Sequence, residues 1–336
     1  MFRKSSGKVL VTGAAGFIGS EFVRQAVARG YSVVVVDKLT YAGDLARLKS
    51  VADDVAFYKV DIADGKKLEE VFKKEKPRAV VHFAAESHVD RSILDDTEFI
   101  KTNIVGTQAL VNVARKAGVE KFVHLSTDEV YGEIERGKFK EAFPLKPRSP
   151  YSASKASADL LVQAAAHTFD FPAVIVRPSN NYGPWQYPEK FIPVIIYKAL
   201  NYQPVPVYAQ GLNVREWLHI SDCAAAILKV LEQGKVGDIY NIGSGDERKN
   251  IDLVRIILKM LGRPETLISF VKDRLGHDWR YALDSRKIRE DLAWSPKIGV
   301  EQGMARTVAW YCEHLPWVKG KVVALERYWK KVYRSA

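Results

Sequence analysis

Two neighbouring carboxylic residues, Asp128 and Glu129, lie in the run Ser126-Thr127-Asp128-Glu129-Val130-Tyr131-Gly132, directly after an apolar stretch. Adjacent carboxyls of unequal proton affinity can take one proton and give another, which is what removing water from a carbon skeleton requires. A solvated strand-to-loop turn is the plain alternative for such a run. Further along, Tyr151 and Lys155 stand four residues apart, just after Pro150. On a helix that spacing puts both on one face. An ammonium beside a phenol favours the phenolate, so a lowered pKa is expected to make Tyr151 a base near neutral pH. Tyr-x-x-x-Lys is common on helices, and its meaning depends on what accompanies it.

What accompanies it is a glycine loop. Gly13, Gly16 and Gly19 punctuate Thr12-Gly13-Ala14-Ala15-Gly16-Phe17-Ile18-Gly19, between a strand pattern and a helix pattern. Such glycines let the backbone turn tightly and approach a pyrophosphate that faces the helix N-terminus. Asp37 ends the second strand pattern, 18 residues after Gly19, placed to accept hydrogen bonds from a ribose 2′-hydroxyl. A carboxylate there repels a 2′-phosphate and favours NAD over NADP, a preference that the adjacent Lys38 tempers.

The elements that must position these groups follow from periodicity. Short β-branched or apolar runs at 8–12, 33–36, 55–58, 79–82, 122–125 and 173–177 alternate with helical patterns near 17–28, 64–75, 97–117 and 151–168. Continuous apolar strands separated by helices imply a parallel sheet covered on both faces, a doubly wound, Rossmann-like α/β fold. Prolines punctuate 178–206, and further helices are expected near 189–200, 221–232, 250–261 and 300–314. The expected division is 1–178 plus 213–242 as a dinucleotide-binding domain, against 179–212 plus 243–336 as a smaller mixed α/β substrate-binding domain.

Composition narrows the class. With 336 residues, 47% hydrophobic and 27% charged, the chain is an ordinary globular protein, which excludes collagen, coiled coil and wholesale disorder. No run of 18 apolar residues occurs, so no membrane helix is expected. Cys223 and Cys312 lie 89 positions apart with no histidine cluster nearby, which argues against a disulfide framework or a metal site. The N-terminus carries no signal-peptide pattern, and a cytoplasmic location is expected. The net charge of +11 raises nucleic acid as a partner, but six Lys/Arg against Glu326 within 319–336 account for +5 of it. That segment reads as a solvated basic tail, and no nucleic-acid or membrane partner is expected.

The order of these motifs resembles the extended short-chain dehydrogenase/reductase family. Within it the sequence is similar to the dTDP-glucose 4,6-dehydratases: in Ser126–Gly132, in Asp37-Lys38-Leu39-Thr40-Tyr41-Ala42-Gly43, and in Ala84-Ala85-Glu86-Ser87-His88-Val89-Asp90-Arg91-Ser92. The similarity continues in Asn180-Asn181-Tyr182-Gly183-Pro184, Pro188-Glu189-Lys190, Tyr240-Asn241-Ile242-Gly243 and Asp273-Arg274-Leu275-Gly276-His277-Asp278, and so spans about residues 8–295.

The resemblance implies a nucleotide-sugar dehydratase in which Tyr151 takes the C4 hydroxyl proton while hydride passes to NAD. Thr127 then bonds the same oxygen, Glu129 removes the C5 proton, Asp128 protonates the leaving C6 hydroxyl, and Lys155 also holds the nicotinamide ribose. It further implies NAD contacts at Gly13, Gly16, Phe17, Ile18, Gly19, Asp37, Lys38, Leu39 and Thr40. Asp61, Ile62, Ala84, Ala85, Thr102 and Asn181 complete that set. Ser87, Asn180, Lys190, Arg215, Asn250, Asp273 and His277 are implied to hold the sugar nucleotide, with Arg215 on its diphosphate. Glu189 reads as a helix N-terminal carboxylate, and His82, His124 and His219 as core histidines.

Glu216, the run Ser221-Asp222-Cys223 and Trp279 depart from the family pattern in the substrate half, which leaves the base and the hexose open. A 4,6-dehydratase of another nucleotide sugar, a C4-epimerase or decarboxylase, and a nucleotide-sensing binding protein are the rival readings. The carboxyl pair argues against the second, and the five intact catalytic residues against the third. The resemblance also implies a homodimer through helices near 97–117 and 151–168, where Ala153, Ala156, Ala158, Ala164, Ala165 and Ala166 would allow close approach.

Overall fold

Runs of β-branched residues with no polar alternation form strands only where both faces are covered, and here they are. The computed structural model describes residues 7–333. Residues 1–6, the Lys331 side chain and Arg334 of the basic segment lie outside the described residues. In chain order the strands are β1 (Val9–Thr12), β2 (Val33–Asp37), β3 (Val55–Lys59), β4 (Ala79–His82), β5 (Lys121–Leu125) and β6 (Ala173–Pro178). They are followed by β7 (Asn180–Tyr182), β8 (Val205–Tyr208), β9 (Val214–His219), β10 (Ile239–Ile242), β11 (Glu247–Lys249) and β12 (Ile268–Val271). A seven-stranded sheet runs β10-β6-β5-β4-β1-β2-β3, and every neighbouring pair in it is parallel.

Alternate residues of each strand enter different cores. Val9, Val11, Val33 and Val35 pack with Phe22, Val23 and Ala26 of helix Phe17–Ala28 and with Ile227, Leu228 and Leu231 of helix Ile220–Gln233. Leu10, Val34 and Val36 face the other way, onto Leu68, Val71 and Phe72 of helix Gly65–Glu75 and onto Leu110, Val111, Val162 and Ala165. The fold is therefore doubly wound, and strand order reverses between β1 and β4. At such a reversal the loops beyond the carboxyl ends diverge and leave a crevice.

The glycine loop makes the first turn possible. Gly13 has φ +64, and a Cβ on it would lie 2.5 Å from the Ala84 nitrogen; one on Gly19 would lie 2.3 Å from the Gly13 carbonyl oxygen. The helix Phe17–Ala28 consequently starts close against β1, with no side chain capping its first amides.

Residues 213–242 divide between sheets. Only β10 enters the large sheet, while β9 pairs with β7 and β11 in a three-stranded sheet, and β8 with β12 in a two-stranded one. Helix Arg286–Leu292 sends Ile288 and Leu292 into the same core as helix Phe17–Ala28. A separate core joins Ile192, Ile195, Trp217, Leu253, Ile257, Met304 and Tyr311.

The C-terminal segment corrects the expectation of a solvated tail. Helix Leu315–Val332 buries Val318, Val322, Leu325 and Trp329 in that second core. Lys319, Lys321, Arg327 and Lys330 occupy the remaining faces, so the charge count concealed an amphipathic helix. The expected helix over 97–117 also differs in detail, because Ile100–Gly106 is π-helical. Of the six alanines proposed for close approach, Ala156, Ala158 and Ala165 are buried inside the chain itself.

Gly19→Ala is expected to lower the stability measured by urea unfolding by about 1–3 kcal/mol, because the added methyl meets backbone that cannot yield. Gly65→Ala, at a helix start with open space around it, is expected to raise stability by about 0.5 kcal/mol.

Candidate active site

One continuous cleft runs along the carboxyl edge of the large sheet, from the glycine loop to the ends of β5 and β6. At its first end, Gly13, Gly16, Phe17, Ile18 and Gly19 form the floor. Asp37 fixes the loop above them: its Oδ2 accepts from the Ala15 amide at 2.9 Å and its Oδ1 from the Leu39 amide at 2.7 Å. Burial raises the Asp37 pKa, and the two backbone donors pull it back. Lys38 turns to Asp61 at 3.2 Å and Glu98 at 3.4 Å, so its charge is engaged away from Asp37. Thr40, Asp61, Ile62, Ala84, Ala85, Thr102 and Asn181 line the same wall, whereas Leu39 contributes only its backbone amide to Asp37. The π-helical turn places Asn103 where its carboxamide accepts from the Glu86 amide and donates to the Glu86 carbonyl, both at 2.9 Å.

At the other end stand Thr127, Asp128, Glu129, Tyr151 and Lys155, beside Ser87, Asn180 and Lys190. Thr127 caps the short turn Asp128–Tyr131, donating to Asp128 Oδ1 at 3.2 Å while accepting from the Glu129 amide. Asp128 is 2% exposed and its Oδ2 has no partner. Burial holds its pKa well above the ordinary carboxylate range, and the charges of Glu129 and Glu216 push it further. Burial also raises Glu129, but there Arg274, Arg215 and Lys190 oppose the rise. The two carboxyls thus differ by their neighbours: Glu129 and Glu216 push Asp128 toward its protonated form, while Arg274, Arg215 and Lys190 favour the charged form of Glu129. Glu216, one of the departures from the family pattern, is fully buried and held by the amides of Leu283 at 2.9 Å and Gly245 at 2.6 Å.

Helix Pro150–Phe169 presents Tyr151 and Lys155. Pro150 occupies its first turn, and Ser149 with Ser152 forms a reciprocal capping box. The expectation that Lys155 acidifies Tyr151 is corrected here. Lys155 Nζ donates to the Leu125 carbonyl at 2.7 Å, and the Tyr151 pKa is raised by burial and by Glu129, with only the Thr127 hydroxyl pulling it down. Lys155 itself is lowered to about 8 by burial, against the opposing charge of Asp159. The spacing placed both groups on one face but said nothing of how dry that face is.

Four expected substrate contacts, Arg215, Asn250, Asp273 and His277, are not among the residues that line the cleft. Arg215 donates to the carbonyls of Val214, Asp278 and Trp279 and lies 4.2 Å from the Tyr281 ring centre. His277 bonds Asp273 through Nδ1 at 2.6 Å and is lowered to about 4, chiefly by burial. Asn250 begins helix Asn250–Met260 with its Oδ1 buried and unpartnered.

Three residues escaped the sequence reading. Arg274, inside the Asp273–Asp278 motif, is a half-buried cation 3.7 Å from Asp90. Glu189 is not a helix N-terminal residue, since the helix starts at Phe191; it binds Arg91 at 2.8 Å and the Tyr41 hydroxyl at 2.9 Å. Arg47 lines the cofactor-side wall without belonging to any motif. His82 is a core histidine as expected, held between Thr12 at 2.7 Å and Thr107 at 3.0 Å.

Comparison with known proteins agrees with this geometry. The chain matches the family described as GDP-mannose 4,6 dehydratase over residues 10–307. It is 48% identical to a dTDP-glucose 4,6-dehydratase of Xanthomonas campestris pv. campestris, over 93% of this chain and 95% of the relative. A dTDP-glucose 4,6-dehydratase of Neisseria meningitidis serogroup B is also 48% identical, over 92% of this chain and 94% of that protein. The chain belongs to the dTDP-glucose 4,6-dehydratase family. DesIV of Streptomyces venezuelae, a family member solved with NAD and TYD bound, superposes with a TM-score of 0.91 at 46% identity, covering 94% of this chain and 99% of DesIV. The UDP-glucose 4-epimerase of Thermus thermophilus, solved with NAD, gives 0.86 at 31% identity, covering 91% of this chain and 99% of the epimerase. Dehydratase and epimerase share this fold, so the chemistry has to be read from the side chains.

The Asp128 setting carries a stability consequence. An unfolded aspartate ionises near pH ~3.9, whereas folded Asp128 stays protonated well above that, so the native protein loses stability as pH rises between the two values. Asp128→Asn removes this penalty. The variant is expected to unfold at higher urea than the parent at pH 7.5, with the difference shrinking toward pH 4 and absent below it.

Proposed function

We propose that the chain is an NAD-dependent dTDP-glucose 4,6-dehydratase, converting dTDP-glucose to dTDP-4-keto-6-deoxyglucose and water. The observation that carries this reading is the unequal setting of Asp128 and Glu129 beside Tyr151. C4 epimerisation needs a hydride shuttle and one base, and it has no use for a second, protonated carboxyl.

The residues fit NAD. The glycine loop lines the cleft with backbone that is packed too tightly at Gly13 and Gly19 to admit side chains, the first amides of helix Phe17–Ala28 have no side-chain cap, and Asp37 offers a ribose partner. When bound, NAD takes up the C4 hydride and returns it at C6, so no net redox change results. The chain's own groups move the protons. Tyr151 receives the C4 hydroxyl proton, with Thr127 bonding the same oxygen and Lys155 supporting the charge from the β5 side. The C4 ketone acidifies the C5 proton, which Glu129 removes. Asp128 protonates the C6 hydroxyl as it departs as water, and a proton then returns to C5.

We assign NAD to the part built on the large sheet, 1–178 with 213–242, and the sugar nucleotide to 179–212 with 243–336. Ser87, Asn180 and Lys190 reach the hexose end, and Arg215, Asn250, Asp273 and His277 back it. We also propose a cytoplasmic homodimer. Ile100, Val105 and Leu160 are about half exposed, at 47%, 53% and 58%. They stand on the helices at 97–116 and Pro150–Phe169, an apolar patch that a second copy would cover.

The test is incubation with dTDP-glucose, UDP-glucose and an N-acetylhexosamine nucleotide, without added reductant, with products read by mass. Loss of one water from dTDP-glucose is expected. Loss from another nucleotide alone would keep the mechanism and change the substrate, and C4 inversion without water loss would make the chain an epimerase. Glu129→Gln is expected to build up reduced-cofactor absorbance without losing water, and Tyr151→Phe to lower kcat by about 10²–10⁴-fold.

A further inference from the structure

Arg47 belongs to no motif, yet it is among the most buried charged side chains of the described residues, 2% exposed, and lines the cleft at its glycine-loop end. Three hydrogen bonds fix its guanidinium. Nη1 donates to the carbonyls of Ala15 at 2.9 Å and Ala42 at 2.6 Å, and Nε to that of Trp185 at 3.0 Å. Ala15 is the residue whose amide Asp37 holds, so Arg47 and Asp37 grip the same stretch of the loop from two sides. Nη2 is buried and has no partner.

The charge also lacks a direct ion pair, with Asp44 and Asp37 acting on it only from farther away. Among the described residues no carboxylate comes within ion-pair distance of Arg47, and its acidic neighbours are already engaged. Asp44 accepts from Lys321 at 2.7 Å, from Trp317 Nε1 at 2.9 Å and from the Ala46 amide at 2.9 Å. Asp37 accepts from two backbone amides. Burial brings the Arg47 pKa only to about 10, so the group remains a cation at neutral pH. A desolvated cation without a counterion is unfavourable, and one with a free donor on a cleft wall is completed by an anion. The other cations of the wall are occupied: Lys38 by Asp61 and Glu98, Lys155 by the Leu125 carbonyl, and Lys190 by the Ser87 carbonyl at 2.7 Å.

We propose that Arg47 is a phosphate-binding residue of the dinucleotide site, its Nη2 donating to the diphosphate that the glycine loop receives. This rests on the NAD reading above. The loop offers only neutral amides and a helix terminus to a group carrying two negative charges, and Arg47 supplies the missing cation. The C-terminal helix holds it there. The Arg47 guanidinium lies 5.6 Å from the centre of the Trp317 ring, and Trp317 and Lys321 both fasten Asp44. Trp317 and Lys321 lie beyond residue 307, where the match to the family ends, so the cation is positioned by a helix that the family match does not include.

The experiment is calorimetric titration of the nucleotide-stripped full chain with NAD, NADP, ADP and adenosine. Arg47→Gln is expected to weaken NAD and ADP by about tenfold or more, as for loss of a charge-assisted bond, while adenosine binding stays unchanged. Equal losses for ADP and adenosine, or no loss, would overturn the proposal. A much larger loss for NADP than for NAD would assign the cation to a 2′-phosphate and overturn the diphosphate contact. Should Arg47→Gln not fold, Arg47→Lys keeps the charge but withdraws the Nη2 donor, and the ratio of ADP to adenosine affinity is expected to fall about threefold; an unchanged ratio would overturn the proposal. If the parent chain binds neither NAD nor ADP, the cofactor reading itself fails before any variant is compared.

Discussion

Two carboxyls one residue apart in a dry cleft cannot both ionise, and the surroundings decide which of them does. Here the decision comes from strand β9 and the loop after β12. Arg215 and Glu216 are neighbours on β9, and alternation sends their side chains to opposite faces. Arg215 acts on both Glu129 and Asp128 as an attractive charge, whereas Glu216 acts on Asp128 as a repulsive one. Arg274 and Lys190 add to the attraction on Glu129. The register of β9 therefore brings Glu216 to bear on Asp128, and the cations from the other segments favour the charge on Glu129. Sequence departure at Glu216 falls at the point where this asymmetry is set.

Beneath the cleft a second set of buried charges fixes the helix that carries Tyr151 and Lys155. Asp159, one turn beyond Lys155, is fully buried and pairs with Arg177 at 2.9 Å and with His124 at 3.4 Å. Arg177 in turn donates to the Tyr131 hydroxyl at 2.8 Å, which donates to Asn241 at 2.9 Å. The chain of contacts joins helix Pro150–Phe169 to β5, β6 and β10. Asp159 also opposes the lowering of the Lys155 pKa. Lys155 is consequently lowered only to about 8. Such a network is expensive to leave half satisfied, which ties the position of the catalytic helix to the integrity of three strands.

Much of this was legible in the sequence because it is local. The six strands of the first half are short apolar runs, and the helix carrying Tyr151 announces itself with Pro150 and the spacing of Tyr151 and Lys155. The glycine loop and the carboxyl pair are contiguous, so their chemistry can be read without knowing the fold. What escaped depends on contacts between distant segments. Strands β7 and β11 have three residues each and exist only through their pairing with β9. Arg274 matters because Glu129 and Asp90 face it, and Glu189 because Arg91 and Tyr41 converge on it. The acidification of Tyr151 by Lys155 failed for the same reason: spacing reports a shared face, while pKa depends on burial and on Glu129, which another element supplies.

The C-terminal helix is the clearest case of meaning hidden by composition. Counted as charge, 319–336 is a basic tail; folded, helix Leu315–Val332 seals a core with Val318, Val322, Leu325 and Trp329. Trp317 and Lys321 hold Asp44 near the glycine loop, and Tyr328 accompanies Arg91 near the other end. Arg91 lies between the rings of Tyr41 and Tyr328, at 4.1 and 4.5 Å, and pairs with Glu189, whose neighbour Lys190 holds the Ser87 carbonyl. Tyr41 belongs to the loop after Asp37, so Arg91 and Glu189 bind the dinucleotide side of the cleft to its sugar side. Both sides are thereby fastened to one helix. A stacked, bidentate-capable guanidinium suits that junction because it meets two ring faces and a carboxylate at once, which a lysine cannot do.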